Sequence, residues 1–232
     1  MHSYSQFGED KIIYNHFNKN IGYFVEVGAN DPIAISQTYL FEQNGWLGAL
    51  IEPLPHLAEH LRKMRPQSQV FECAATSPDK CGESYIYTGG NDTLASLSEE
   101  TGGQRFLVKT RTMNDILEEA KLPSIDFLSM DVEGFEMDVF AGLDLQRWAP
   151  SLILIEDHVH DLEKHRYLVA SNYKLINRLG CNNWYIPKSS IWHGPTHLSH
   201  FERIRKFYLG LPFRKLKLAL KKVFDRKTTE SS

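Results

Sequence analysis

A doubly wound α/β fold on a mostly parallel sheet is what this sequence predicts, and three observations predict it. Short apolar, β-branched runs alternate with segments of helical periodicity along most of the chain, the pattern of βαβ units whose strands are covered on both faces. The first such run ends in Gly28-Ala29-Asn30-Asp31-Pro32, a sequence of turn residues that no strand can continue. Acidic residues then stand at the carboxyl ends of successive runs, where open α/β sheets bind their ligands.

In chain order, Ser5-Gln6-Phe7-Gly8-Glu9-Asp10 precedes a short helix from Lys11 to Phe17, with Ser5 and Asp10 as candidate capping residues. Tyr23-Phe24-Val25-Glu26-Val27 is the first strand. After the turn, a helix is expected from Ser36 to Gln43, stopped by Asn44-Gly45. Trp46 to Ile51 is the second strand, with Glu52-Pro53 at its end, and Pro55 opens a helix through Met64. Val70 to Ala75 reads as one third strand. The stretch from Thr76 to Gly103 is irregular, with a half-exposed strand at Glu83–Tyr87 and flexible turns at 89–92 and 102–103. Phe106–Thr110 is a strand and Met113–Lys121 an amphipathic helix. Ser124–Met130 is a core strand running into Asp131-Val132-Glu133-Gly134, with a helix from Phe135 to Ala141. Ser151–Ile155 is an apolar strand ending in Glu156-Asp157-His158, and Tyr173–Ile176 and Asn183–Ile186 close the sheet.

The stretch from Tyr23 to Pro53 organises the rest. Glu52 lies about 20 positions beyond the glycine turn, the spacing at which an acid accepts hydrogen bonds from ribose hydroxyls. A dinucleotide fingerprint is missing, because Gly28 is followed by Asn30 and Asp31 rather than by further glycines, and no P-loop lysine is present. Acids at Glu26 and Asp31 repel phosphates and suit a cationic ligand. S-adenosylmethionine, with its sulfonium, ammonium and ribose diol, fits that lining; a plain structural βαβ unit with incidental acids is the alternative. Small residues at the end of the third strand, Ala74 among them, admit a flat adenine ring and are equally compatible with simple packing.

Glu26/Asp31, Asp131/Glu133 and Glu156/Asp157, with His158 beside the last pair, should converge on one crevice. Two chemistries suit it. His158 or Asp131 acts as a general base on a hydroxyl that attacks a methyl group, with Glu133 and Asp157 as neighbouring catalytic carboxylates. Alternatively Asp131 and Asp157 hold a divalent cation such as Mg²⁺; the spacing permits a cation without requiring it, and no metal is expected.

The chain has 232 residues, enough for one α/β domain and a modest appendage. Its start carries no basic and apolar leader, no run approaches the roughly 18 apolar residues of a membrane span, and Cys73, Cys81 and Cys181 fit neither a disulfide framework nor a zinc site. A reducing cytoplasm is the expected compartment. The net charge of −3 hides an asymmetry: residues 203–227 hold ten Lys/Arg against one acid, Asp225, leaving 16 basic and 28 acidic residues elsewhere.

From about Ser5 to His158 the residues resemble the FkbM-family methyltransferases, a class I S-adenosylmethionine-dependent group acting mainly on hydroxyls of sugars and natural products. The likeness is carried by Ser5-Gln6-x-Gly8-Glu9-Asp10, Val25 to Pro32, Thr38-Tyr39, Gly45-Trp46-x-Gly48, Ile51-Glu52-Pro53, Asp131-Val132-Glu133-Gly134-x-Glu136 and Ile155-Glu156-x-His158. It implies a Rossmann-like class I fold on a seven-stranded sheet, in which Glu26, Gly28 and Asn30 contact the methionine part of the cofactor and Glu52 the ribose. Gln6, Asp31, Ser36, Pro53, Ala74 and Asp131 complete the implied cofactor set. Many relatives carry a glycine near the position of Ile33, which Asp31-Pro32-Ile33 replaces here.

A domain spanning 1–190 and a basic extension spanning 191–232 are therefore expected. In the extension, Phe213, Leu216, Leu220, Val223 and Phe224 follow helical spacing with basic residues between them. This pattern suits either a helix packed on the domain or one lying on an anionic membrane. No nucleic-acid partner is expected, and the oligomeric state is not legible. The expected activity is O-methylation of a sugar hydroxyl in a glycan or glycolipid precursor, the acceptor being free or lipid-linked. The rivals are a methyltransferase of secondary metabolism and a catalytically silent adaptor at a membrane or partner.

Overall fold

The structure, a computed structural model, describes residues 1–88, 95–96, 104–196 and 204–217. The expected glycine turns at 89–92 and 102–103, and the tail positions Leu220, Val223 and Phe224, lie outside the described residues.

The central sheet has seven strands. In chain order they are β1 (Tyr23–Val27), β2 (Leu47–Ile51), β3 (Ser68–Phe71), then β8 (Phe127–Met130), β9 (Leu152–Glu156), β10 (Tyr173–Leu179) and β11 (Asn182–Pro187). Their spatial order is β10-β11-β9-β8-β1-β2-β3. β3, β2, β1, β8 and β9 run parallel, whereas β11 is antiparallel to both neighbours. The hairpin β10–β11 thus tucks its second strand between β9 and β10. Alternation along β1 sends Val25 and Val27 to one face and Phe24 to the other.

Helices cover both faces, which is why the strands read as near-continuous apolar runs. Ile13 of α1 (Glu9–Phe17), Leu40 and Phe41 of α2 (Tyr39–Gln43) and Leu61 of α3 (Pro55–Met64) pack with Phe24, Leu50, Phe127 and Leu154. On the opposite face, α4 (Met113–Ala120), α5 (Glu136–Ala141) and α7 (Glu163–Ala170) contribute Ile116, Leu117, Val139, Phe140 and Leu168. A short helix, α6 (Leu145–Trp148), is capped by Asp144, which accepts from the Gln146 and Arg147 amides.

Two expectations are corrected here. The run Val70–Ala75 is not one strand: β3 ends at Phe71, and β4 (Ala74–Ala75) joins a second, four-stranded sheet. That sheet has the order β4-β7-β5-β6, with β5 (Gly82–Thr88), β6 (Ala95–Ser96) and β7 (Gln104–Arg111). Ala74 pairs with Thr110, so the chain changes sheets within three residues of Phe71. The helix expected from Ser36 begins instead at Tyr39, because Ser36 and Thr38 are drawn into a buried polar network.

Candidate active site

The crevice is made by the carboxyl ends of β1, β2, β8 and β9, and glycine makes its first turn feasible. Gly28 has φ +80°, and a Cβ there would lie 1.8 Å from the Asp131 carbonyl oxygen. Backbone of β1 and β8 therefore meet at a distance only glycine tolerates. The amides of Gly28 and Ala29 both donate to the Ile51 carbonyl, and Asn30, at φ 45°, turns the chain toward β2. There the Asn30 amide donates to Glu52 Oε2 at 2.9 Å, while Glu52 Oε1 accepts from the Leu54 amide at 2.9 Å. Two backbone donors hold this carboxylate in place.

Two cavities adjoin along a shared wall of Val27, Gly28, Asn30 and Asp131. The first is mainly apolar: Ile51, Cys73, Ala74, Ala75, Ile86, Val132 and Phe135 surround it, with Glu52 and Pro53 at one side. Ile86 comes from β5, so the second sheet supplies a wall that the parallel sheet alone lacks. The second cavity is polar and acidic, lined by Gln6, Glu26, Asp31, Gln37, Glu156 and Asn182 among others. Gln37 Oε1 is buried there without a hydrogen-bond partner.

At the junction, Asp131, Glu133 and Glu156 each place a carboxylate oxygen within 4.8 Å of the others. Asp131 opens onto the crevice but is crowded by protein on its other sides. Burial first, then the charges of Glu156 and Glu133 and a hydrogen bond with Glu156, push its carboxyl up to about 8. Glu133, at the left-handed φ of 50°, is raised by burial and by Glu156. Cys181 donates its thiol to Glu156 Oε1 at 3.0 Å, and burial with that neighbour pushes the thiol up to about 12. It stays protonated and holds Glu156 toward the cavity.

Of the residues expected from the sequence, Gln6, Glu26, Gly28, Asn30, Asp31, Glu52, Pro53, Ala74, Asp131 and Glu133 line the two cavities. Glu26 does so with both oxygens engaged: Oε1 accepts from the Gln37 amide at 3.0 Å and Oε2 from Thr38 Oγ1 at 2.5 Å. Burial raises its pKa, opposed first by the charge of Arg65. Asp31 Oδ1 accepts from the Ile33 and Ala34 amides, so it shapes the turn as well as facing the cavity.

Three expected residues stand apart from the lining. Ser36 is buried, its hydroxyl shared among Glu26, Arg65 and the amides of Thr38 and Tyr39. Asp157 points inward: it accepts from the Val159 amide at 2.8 Å and from Asn183 Nδ2 at 3.0 Å, and pairs with Lys164 at 3.4 Å. His158 is 62% exposed at the rim, its Nε2 3.8 Å from Glu156 Oε1.

Glu156, expected among the converging acids but given no catalytic role, lines the cavity in place of its two neighbours. The signal was the period of two: Leu154 and Glu156 share a face of β9 and line the same cavity. The contacts of Glu9 and Asp10 emerge only in three dimensions. Glu9 is fully buried and accepts from the Phe7 amide and from Asn182, pinning Gln6 over the crevice. Asp10 accepts from Ser3, Ser5 and the amides of Tyr4 and Lys11, securing the same segment.

Comparison with known proteins places the chain. The profile described as the Methyltransferase FkbM domain matches residues 26–207. A search of curated proteins finds no match. Among solved structures, M. capricolum TrmK in complex with S-adenosyl-homocysteine aligns over 84% of this chain and 72% of that one, at 12% identity and a TM-score of 0.44.

Proposed function

The chain belongs to the FkbM family of S-adenosylmethionine-dependent methyltransferases, and from that premise we propose that it methylates oxygen, at a sugar hydroxyl of a glycan or glycolipid precursor. The observation that carries this reading is the position of Asp131, on the wall between the two cavities and within 4.8 Å of the Glu133 and Glu156 carboxylates.

The cavity chemistry fits the cofactor. Cys73, Ala74, Ala75, Ile86 and Phe135 form an apolar slot of a kind that takes a flat purine. Glu52 Oε1 and Oε2, already oriented by two amides, accept hydrogen bonds from a ribose diol. The acidic trio favours a cation at the junction, which suits a sulfonium. When bound, the cofactor supplies an electrophilic methyl carbon.

The chain's own residues do the rest. A hydroxyl entering the polar cavity meets Gln6, Gln37 and Asn182, whose donors and acceptors suit a polyol. Asp131 is the proposed general base, taking the hydroxyl proton at a carboxylate oxygen. A carboxyl raised to about 8 is well matched to that task near neutral pH. Glu156 shares that proton, and exposed His158, 3.8 Å from Glu156, passes it to solvent. The apolar walls of the first cavity keep water from the junction.

The test is methyl transfer from isotopically labelled S-adenosylmethionine to a panel of free, nucleotide-linked and lipid-linked sugars, with amine acceptors alongside. Label appearing as an O-methyl ether, with Asp131→Asn slowing transfer by about 10²–10⁴-fold, supports the reading. Label on nitrogen, or an Asp131→Asn variant as fast as wild type, contradicts it.

A further inference from the structure

Residues 204–217 form a basic, apolar-tipped surface clamped to the rim of the crevice. A π-helical turn, Arg205–Leu209, is followed at Gly210 by helix 211–217. Phe207 is fully buried against Val159 and Leu162, with its ring 5.1 Å from that of His165. Arg214 Nε donates to the Val159 carbonyl at 2.8 Å, and its Nη2 donates to the Lys206 carbonyl. Val159 is three residues beyond Glu156, so this anchor lies at the same end of the sheet as the site.

With Phe207 turned inward, the large side chains around it face water. Tyr208 is 56% exposed, Leu209 60%, Phe213 76% and Leu216 59%. Phe213 and Leu216, at i and i+3, share a face of helix 211–217, and Leu209 ends the π-helical turn before it. Arg205, Lys206, Arg214, Lys215 and Lys217 lie among them, and the span contains no acid. An exposed apolar patch of this kind marks an interaction site.

Charge identifies the partner. Residues 204–217 hold five Lys/Arg and no acid, while the remainder of the chain carries 21 basic and 29 acidic residues. An anionic surface repels the body and attracts this one pole, so the chain is oriented as well as bound. Apolar tips between cations find use where acyl chains lie beneath anionic headgroups, and none on a phosphate backbone alone. We propose that residues 204–217 dock the protein on anionic lipid bilayers, holding the crevice rim at the membrane surface. This goes beyond the acceptor reading and stands or falls without it, because docking is measured with no cofactor or acceptor present.

The experiment is co-sedimentation of the full chain with phosphatidylcholine vesicles containing or lacking phosphatidylglycerol, with melting temperature checking the fold of each variant. The proposal expects partition onto the anionic vesicles only, weakening with salt. Lys215→Ala and Lys217→Ala should each lower partition about fivefold, and Phe213→Asp should abolish it without changing the melting temperature. Four results overturn the proposal: no partition by folded wild type, equal partition onto neutral vesicles, preferential binding to RNA, or a dimer that Phe213→Asp dissociates.

Discussion

The Asn30 amide and Glu52 Oε2, 22 residues apart in sequence, are joined at 2.9 Å, so the first βα turn and the acid beyond β2 form one hydrogen-bonded unit. The Leu54 amide takes the other carboxylate oxygen. A ligand bridging the turn and the acid therefore finds both already in place, and little ordering remains to oppose binding. The left-handed backbone at Gly28 and Asn30 aims the Asn30 amide at the acid.

The Gly28 turn admits no side chain. Alanine at φ +80° costs about 1–2 kcal/mol in backbone strain, and its Cβ would force the Asp131 carbonyl to move. Gly28→Ala should lower the unfolding free energy by at least that amount and separate the two cavities' shared wall. Urea titration should show the loss, and cofactor binding should fall with it.

Asp131 makes stability and binding depend on pH. In the folded chain its carboxyl is raised to about 8, whereas an unfolded aspartate ionises near pH 4. The folded state therefore holds the extra proton. The resulting stability is complete below about pH 4 and is lost as pH rises through 8. Asp131→Asn should gain stability relative to wild type across that interval, measured as urea midpoints at several pH values. A cation at the junction favours the ionised carboxylates, so S-adenosylmethionine should release protons on binding near pH 7. S-adenosylhomocysteine, which lacks the sulfonium charge, should release fewer. Calorimetry in two buffers of different ionisation enthalpy measures the difference.

Asp157 and Glu156 are adjacent yet should fail differently. Asp157 is buried beside Lys164, which also holds Glu136 at 3.1 Å. Glu136 in turn accepts from the Gly134 amide, tying the turn after β8 to the end of β9. Lys164 is part-buried and keeps Glu136, so Asp157→Asn forfeits charge-assisted hydrogen bonds worth about 1.5–3 kcal/mol and should lower the melting temperature while changing cofactor affinity less than threefold. Glu156→Gln should leave stability nearly intact and slow methyl transfer. Paired thermal melts and transfer rates distinguish the two.

Much of this was legible in the residues, and the failures share one cause. Apolar runs such as Leu152–Ile155 announce buried strands, and turn chemistry marks the loop after β1. Strand partners are not written locally. Val70–Ala75 has one composition, yet Phe71 pairs with Ile51 and Ala74 with Thr110 in another sheet. Likewise nothing in Asn182–Pro187 says that it inserts between β9 and β10. Arg65, just past the end of α3, is fully buried and bonded to Glu42, Thr38 and Ser36. That network shortened the expected second helix. In the site, turn and acid spacing pointed to Gly28 and Glu52 and the family resemblance to Asn30, while the choice between Glu156 and Asp157 required following strand alternation to its end.

The most direct measurement is calorimetric titration of S-adenosylmethionine and S-adenosylhomocysteine into wild type and Glu52→Ala. Removing the carboxylate strips two amides of their acceptor and the ribose of its partner, worth about 1.5–3 kcal/mol for a charged hydrogen bond. Both ligands should bind wild type, and Glu52→Ala should weaken each by at least tenfold with its fold intact by thermal melt. Equal affinity in the two proteins, or no binding by folded wild type, would contradict a cofactor site organised by Asn30 and Glu52.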